Sequence, residues 1–286
     1  MRHTVLRKRL KARLAAQDLA QQNQIYSAFD IVGSVAILKT PQNNPQAAQT
    51  AAGQIMSTHR SVKTVLAQTG GVDGDFRTRK LTLVAGENKT KAKYRESSCT
   101  FAVDLENCYF SPRLLFERTR IARLVGEGEI VVNMFAGVGC FSIILAKNVP
   151  TAKVYSIDVN PTAYECMVQN VKANRVYGRV FPLLGDAKTV VETQLLGMAD
   201  RVLMPLPELA IEYLPAAVSA LKKQGGWIHY YGFEHAVGDE EPVEKSKQKL
   251  AEKLGSLGVG FVFGLGRVVR STGPNWVQTA VDVCIS

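Results

Sequence analysis

The stretch Val131–Ile143, VVNMFAGVGCFSI, begins as an apolar strand and breaks into glycine before a second apolar run. A strand that runs into FAGVG and then into a helix delivers the chain at the top edge of a sheet. Gly137 and Gly139 are expected there to remove side chains where a ligand approaches the backbone closely. The next strand, KVYSIDV, ends in Asp158. A carboxylate at the tip of the second strand is placed to accept hydrogen bonds from both ribose hydroxyls of an adenosine cofactor. Asp186, after the third strand in LLGDA, is in position for the adenine amine. The competing reading of Asp158 is a helix cap before NPTAYE. A dinucleotide site prefers GxGxxG, and GVGCFS lacks the third glycine. S-adenosylmethionine, which has no phosphate to cradle, is therefore preferred over NAD.

Outward from this run the pattern repeats. From Cys108 onward, strands such as EIVVNMF, KVYSIDV, RVFPLLG, DRVLMPL and GWIHYYGF alternate with helical stretches such as GCFSIILAKNV, TAYECMVQNVKANR, AIEYLPAAVSALKK and PVEKSKQKLAEKLGSLG. Such alternation predicts an α/β domain with a largely parallel, Rossmann-like sheet covered on both faces over residues 108–286. The last strands are FVFGLGRVVR and VQTAVDVCI. Residues 25–107 mix short strands with one helix, NPQAAQTAAGQIMSTH, and read as a small α+β domain. Within it GGVDGDFRTRK reads as turn-rich and then basic, and CTFAVDL as a strand. Residues 1–24 read as one helix, with Arg2, Arg7, Lys8, Arg9, Lys11 and Arg13 set against a single acid, Asp18. That is either an RNA-contacting arm or a solvated face.

The 286 residues are 46% hydrophobic, enough to bury a core, and carry a net charge of +10 with a pI near 9.4. A chain this basic points to a polyanionic partner or to a solubilising surface. The five cysteines are odd in number and form no CxxC pair, so neither a disulfide framework nor a structural zinc site is indicated. They fit a reducing cytoplasm. No apolar run is long enough to span a bilayer and no signal-peptide pattern opens the chain.

The segments CYFSPRLLFERTRIA, VVNMFAGVGCFSI, SIDVNPTAYE, GDA, DRVLMPLP, GGWIHYY and GDFRTRKLTLVAGE together span Gly74 to Tyr231. In this combination the chain resembles class I methyltransferases, and among them the archaeal and eukaryotic tRNA (guanine-37 N1) methyltransferases. The resemblance implies transfer of the methyl group of S-adenosylmethionine to N1 of the guanine 3′ of the anticodon, with a small domain helping to hold the tRNA. It implies Glu117, in LLFER, as general base and Arg77, in DFRTR, as a contact to the target base. Arg79 and Arg113 join Arg77 as RNA-facing cations. The cofactor would be lined by Arg118, by Phe135, Ala136, Gly137 and Gly139, by Asp158, Val159 and Asn160, and by Asp186, Ala187 and Pro205. No metal is implied, and the protein is expected to act as a monomer. A carboxylate that takes the N1 proton as the sulfonium is attacked is worth about 10²–10⁴-fold. A guanidinium stabilises the charge that grows on O6. The bland readings are an ion pair of Glu117 with Arg113 or Arg120, and a surface charge at Arg77 beside Arg79 and Lys80.

Three departures from the family pattern stand out. Pro205 replaces an asparagine whose amide would bond the base, Asn133 stands where an acid is common, and RSTGPNWVQTAVDV matches the usual ending loosely. Two other functions share the pattern: an aminocarboxypropyl transferase of the wybutosine pathway, on the same fold and cofactor, and a non-catalytic RNA-binding protein. His229, Tyr230 and Tyr231 end a strand near the site, either stacking on a base or buried. Trp276 is core or rim.

Overall fold

The computed structural model describes residues 29–39, 45–74 and 76–286. The expected basic helix over residues 1–24 lies outside them. The chain divides into two compact units, one up to Pro112 and one from Arg113 to Ser286.

In the first unit, β1 (Phe29–Val32) and β2 (Val35–Lys39) form an antiparallel hairpin. Helix α1 (Pro45–Thr58) then crosses over to β3 (Thr64–Asp73), which is parallel to β2. Its buried residues Ala48, Ala51, Ala52 and Ile55 follow the i, i+3, i+4, i+7 spacing of a helix with one apolar face. That face packs with Phe29, Leu38, Val62 and Val65 of the sheet side. Strand β4 (Thr78–Gly86) returns antiparallel to β3 and closes a four-stranded sheet. The stretch expected to be turn-rich from Gly70 is strand as far as Asp73. Its glycines are accommodated by a register shift between Gln68 and Val72, which is where glycine serves a strand best. A separate two-stranded ribbon, β5 (Lys91–Glu96) with β6 (Cys99–Asp104), completes the unit. The sequence reading found β6 and missed β5, whose KAKYRE is mostly charged.

The second unit opens with a 3₁₀ turn (Pro112–Leu114) and helix α2 (Leu115–Leu124). Its sheet is built from β7 (Ile130–Asn133), β8 (Lys153–Asp158), β9 (Val180–Leu184), β10 (Arg201–Met204), β11 (Gly226–His235), β12 (Phe261–Gly273) and β13 (Trp276–Ile285). They lie in the order β12-β13-β11-β10-β7-β8-β9. β13 alone runs antiparallel to its neighbours; the pairings among β11, β10, β7, β8 and β9 are parallel. Helices α3 (Cys140–Asn148), α4 (Pro161–Ala173), α5 (Ala187–Val190), α6 (Ala210–Ala220) and α7 (Pro242–Ser256) make the crossovers. The sequence reading missed the short α5 and the π turn Val191–Leu195 after it. One large core holds Val132, Ile157, Val202, Leu214, Ile228 and Val283. The strand order reverses between β7 and β10, and the carboxyl edge at such a switch point is where open α/β sheets bind ligands. The FAGVG turn leaves β7 at that point.

Gly139 has a different reason from the one the sequence suggests. Its φ is +89°, and a Cβ there would stand 2.9 Å from Met167 Cγ and 3.2 Å from Ile143 Cδ1. The glycine lets α4 pack against the start of α3, so helix approach, more than ligand approach, explains it. We predict that Gly139→Ala costs about 1–3 kcal/mol of stability through backbone strain and crowding. Urea unfolding measures this, and an unchanged midpoint would show that the turn relaxes freely.

Candidate active site

The turn after β7 is pinned by backbone bonds. Met134 N–H donates to Leu203 O at 3.0 Å, Ala136 N–H to Ile157 O at 2.8 Å, and Gly139 N–H to Ala136 O at 2.9 Å. Gly137, with φ +56°, turns its N–H onto Asp158 Oδ2 at 2.6 Å. Asp158 Oδ1 accepts from Asn160 N–H at 3.0 Å. Burial pushes the Asp158 carboxyl up, and these two N–H donors hold it down only in part, so its pKa lies above the ordinary value. Asp158 is not the helix cap. That task falls to Asn160, whose Oδ1 accepts from Thr162 N–H at 2.9 Å and Ala163 N–H at 3.4 Å, ahead of Pro161 at the first helical position. Between these two residues Val159 exposes an apolar side chain, 46% accessible.

Asp186 follows β9 and caps α5, accepting from Lys188 N–H at 3.0 Å and Thr189 N–H at 3.1 Å. Tyr213, on α6, donates its hydroxyl to Asp186 Oδ2. Burial pushes Asp186 up, but these donors outweigh it and hold the carboxyl below its ordinary value. The same Tyr213 meets Phe135 edge to face at 5.1 Å and carries the Lys188 ammonium over its ring at 4.3 Å. Tyr213 was not singled out in the sequence. It lies 27 residues from Asp186, and no local pattern links them. Ala187 is buried, and Pro205 is half-buried where β10 ends. Asn133, at the end of β7, donates Nδ2–H to Ser142 Oγ at 3.1 Å; its buried Oδ1 has no hydrogen-bond partner among the described residues. These groups suit a nucleoside with an attached ammonium. Asp158 and Asp186 offer acceptors at successive strand ends, and Val159 and Phe135 offer apolar surface.

On α2, Glu117 and Arg118 are buried, with Ile121 and Ala122, while Leu115 and Phe116 are exposed. The Arg118 guanidinium lies 5.9 Å over Phe141 at the start of α3. Glu117 Oε2 accepts from Arg120 Nε at 3.0 Å and from the Tyr231 hydroxyl at 3.0 Å. Burial and the adjacent Glu117 carboxylate push the Tyr231 phenol well above its ordinary value, which keeps it a donor. Glu117 Oε1 lies 3.1 Å from Arg267 Nη1, and accepts no hydrogen bond among the described residues. The helix ion pair with Arg120 therefore exists, as one link of a longer chain. Arg120 grips Asp282 through both Nη atoms at 2.6 and 3.2 Å. Asp282 Oδ1 meets His229 Nδ1 at 2.6 Å, and His229 Nε2 meets Arg201 Nη1 at 2.8 Å. Arg201 in turn bonds Glu129 and the Leu124 carbonyl. A guanidinium only donates, so Nε2 must accept, and Nδ1–H must then donate to Asp282. His229 is thus neutral. Burial, which depresses its pKa against the pull of Asp282, agrees. His229, Tyr230 and Tyr231 are all buried, so they do not stack on a base, whereas Trp276 is half exposed against His235.

In the first unit, the Arg77 guanidinium lies 4.3 Å over the Tyr109 ring and that of Arg79 lies 5.5 Å away. Arg79 Nη2 donates to Phe110 O at 2.9 Å. Arg77 holds φ +52°, an uncommon conformation for a non-glycine residue. Arg113 is exposed in the 3₁₀ turn before α2. Among the described residues no group of His, Cys, Asp and Glu is placed to hold a metal, and no helix is long and apolar enough to cross a membrane.

A neutral buried His229 has a consequence for stability. Its folded pKa is depressed below 6.5, so the associated stability is complete above that value and is lost as pH falls toward the folded pKa. We predict a decline in unfolding free energy from about pH 6.5 downward. His229→Gln, whose amide both donates and accepts, is expected to remove most of that slope between about pH 6.5 and 5. Urea titrations across this range check it; an equal slope in the variant would assign the decline to another group.

The TRM5/TYW2 methyltransferase domain matches residues 92–257, and the TYW2 N-terminal domain matches residues 6–90. The tRNA (guanine(37)-N(1))-methyltransferase Trm5b of Pyrococcus abyssi is 38% identical over 261 residues, covering 91% of this chain and 75% of the relative. The tRNA 4-demethylwyosine(37)-methyltransferase Taw21 of Saccharolobus solfataricus is 37% identical over 267 residues, covering 93% of this chain and 96% of the relative. The solved complex of aTrm5 with tRNALeu aligns at a TM-score of 0.81 and 32% identity, over 96% of this chain and 76% of that one. With a Rossmann-like sheet, an Asp158–Gly137 edge and matches of this extent, the chain belongs to the TRM5/TYW2 methyltransferase family.

Proposed function

We propose that the protein is a tRNA (guanine-37 N1) methyltransferase that uses S-adenosylmethionine. The observation that carries this reading is Glu117: a buried carboxylate with one oxygen anchored by two donors and the other accepting no hydrogen bond among the described residues. Such an oxygen is suited to take a proton from a substrate N–H. S-adenosylmethionine supplies an electrophilic methyl on a sulfonium, held by the edge that Asp158, Asp186, Val159 and Phe135 form. Glu117 is placed to accept the N1 proton, and the bound sulfonium would supply the methyl group that N1 takes in its stead. Arg118, Ala136, Gly137, Gly139, Asn160, Ala187 and Pro205 line or shape this edge. Arg79 and Arg113 offer cations to phosphates. Arg77 keeps the role that the resemblance implies, contact with the target base, and its strained backbone supports a functional placement. None of the five cysteines, all described, is in a disulfide, which suits the cytoplasm; we take the acting form to be a monomer, since one chain carries both base and cofactor edge.

A second reading is methylation of a 4-demethylwyosine at the same position. Two observations favour it: the chain matches almost the full length of Taw21, and Pro205 offers no side-chain amide or backbone N–H.

Three measurements test these readings. With methyl-labelled cofactor, tRNA bearing guanine 37 is expected to gain label as N1-methylguanine; carboxyl label in the tRNA would instead show aminocarboxypropyl transfer. Product made only from tRNA carrying the wyosine precursor would select the second reading. Glu117→Gln is expected to slow single-turnover transfer about 10²-fold or more while cofactor and tRNA affinities hold; near-normal turnover would leave Glu117 a structural ion pair. Asp158→Ala is expected to weaken cofactor binding by about 1.5–3 kcal/mol, read by calorimetry, and unchanged affinity in a folded variant would remove it from the site.

A further inference from the structure

The oxygen of Glu117 that accepts no hydrogen bond among the described residues has a cation beside it. Arg267 Nη1 stands 3.1 Å from Oε1 in an ion pair, and the guanidinium rests 4.3 Å over the ring of Phe116. Glu117 is 1% exposed and Arg267 31% exposed, so the guanidinium covers the carboxylate on its solvent side. Phe116 beneath it is 60% exposed. Two features of the strands put Arg267 there. Arg267 and Tyr231 lie in register on either side of Ala280, and so share a sheet face with only a methyl group between them. β12 also shifts register on both sides of Arg267, between Phe263 and Gly266 and between Val268 and Arg270. Bulges of this kind re-aim side chains and are over-represented next to active sites.

Resting on the reading of Glu117 as the base for guanine, we propose that Arg267 reads the guanine edge. It moves off Oε1 along its Phe116 support and donates to O6 while Oε1 receives the N1 proton. The chemistry of the pair fits this edge. Oε1 is an acceptor and Nη1–H a donor, side by side, and guanine presents a donor at N1–H beside an acceptor at O6. Adenine presents the reverse order, an acceptor at N1 beside an amine, so both contacts would become repulsive. A guanidinium has five donors in a fixed fork, enough to serve O6 and keep a charge contact with Glu117.

The test is a chemical double-mutant cycle. Single-turnover methyl transfer is measured on tRNA transcripts with guanine or 6-thioguanine at position 37, using the wild-type protein, Arg267→Ala and Arg267→Gln. Sulfur is a poor acceptor, so the two changes should not add. Arg267→Ala is expected to slow transfer to guanine about tenfold or more, and transfer to 6-thioguanine by less than about threefold. Arg267→Gln, which retains a donor, is expected to recover part of the guanine rate and guards against a poorly folded alanine variant. S-adenosylmethionine affinity should stay at wild-type values. Equal losses on both acceptors, or no loss on guanine, would overturn the assignment and leave the reading of Glu117 standing. A wild-type protein that forms no N1-methylguanine would remove that reading, and this one with it.

Discussion

A carboxylate buried inside a protein must be paired, and in this protein that requirement organises the methyltransferase unit. Glu117 on α2 is answered by Arg120, which is answered by Asp282 on β13, then by His229 on β11 and Arg201 on β10. Transferring any one of these groups from water without its partner would cost several kcal/mol. The chain of contacts therefore fixes one helix against three strands, and it does so in one register. The position of the Glu117 carboxylate is consequently not a local property of its helix. Four elements set it, which is the rigidity that the proton acceptor proposed here needs when its reach is a single hydrogen bond.

The edge proposed to hold the cofactor is organised by smaller means. Gly137 and Gly139 are both at positive φ, yet they do separate work. Gly137 frees a backbone N–H to hold Asp158, whereas Gly139 makes room for α4. Asp158 and Asp186 differ in the same way. The first is kept above its ordinary pKa by burial, and the second is kept below by the Tyr213 hydroxyl and the first turn of a helix. Two aspartates at successive strand ends thus present acceptors of unequal basicity.

What was legible in the sequence is what is local. A strand, a glycine turn and a helix within thirteen residues are encoded by neighbours, as is an aspartate at a strand tip with Asn-Pro directly behind it. The cap assignment was decided within that short run: the geometry chose Asn160 over Asp158. Long-range pairings were not legible. Arg120 and Asp282 are 162 residues apart, and a sequence offers no spacing rule for a contact made through sheet order. Arg267 and Tyr213 were missed for the same reason. β5 was missed because its alternation is not an apolar one: Lys91, Lys93 and Arg95 face water, and the opposite face carries only Ala92, Tyr94 and the buried acid Glu96.

β12 ends the sheet, and the terminal strand of a sheet is an invitation to other chains. Val262 and Leu265 lie exposed along it, which would make a flat strand there adhesive. Its three register shifts break the even row of N–H and C=O groups that a foreign strand would need to pair with. The irregularity that aims Arg267 therefore also protects solubility. A substitution that straightened β12 would harm on two fronts at once: it would misdirect a guanidinium and give the molecule a sticky margin. With Arg267 in its proposed role, selection for staying dispersed in a crowded cell and selection for the reaction act on the same few residues.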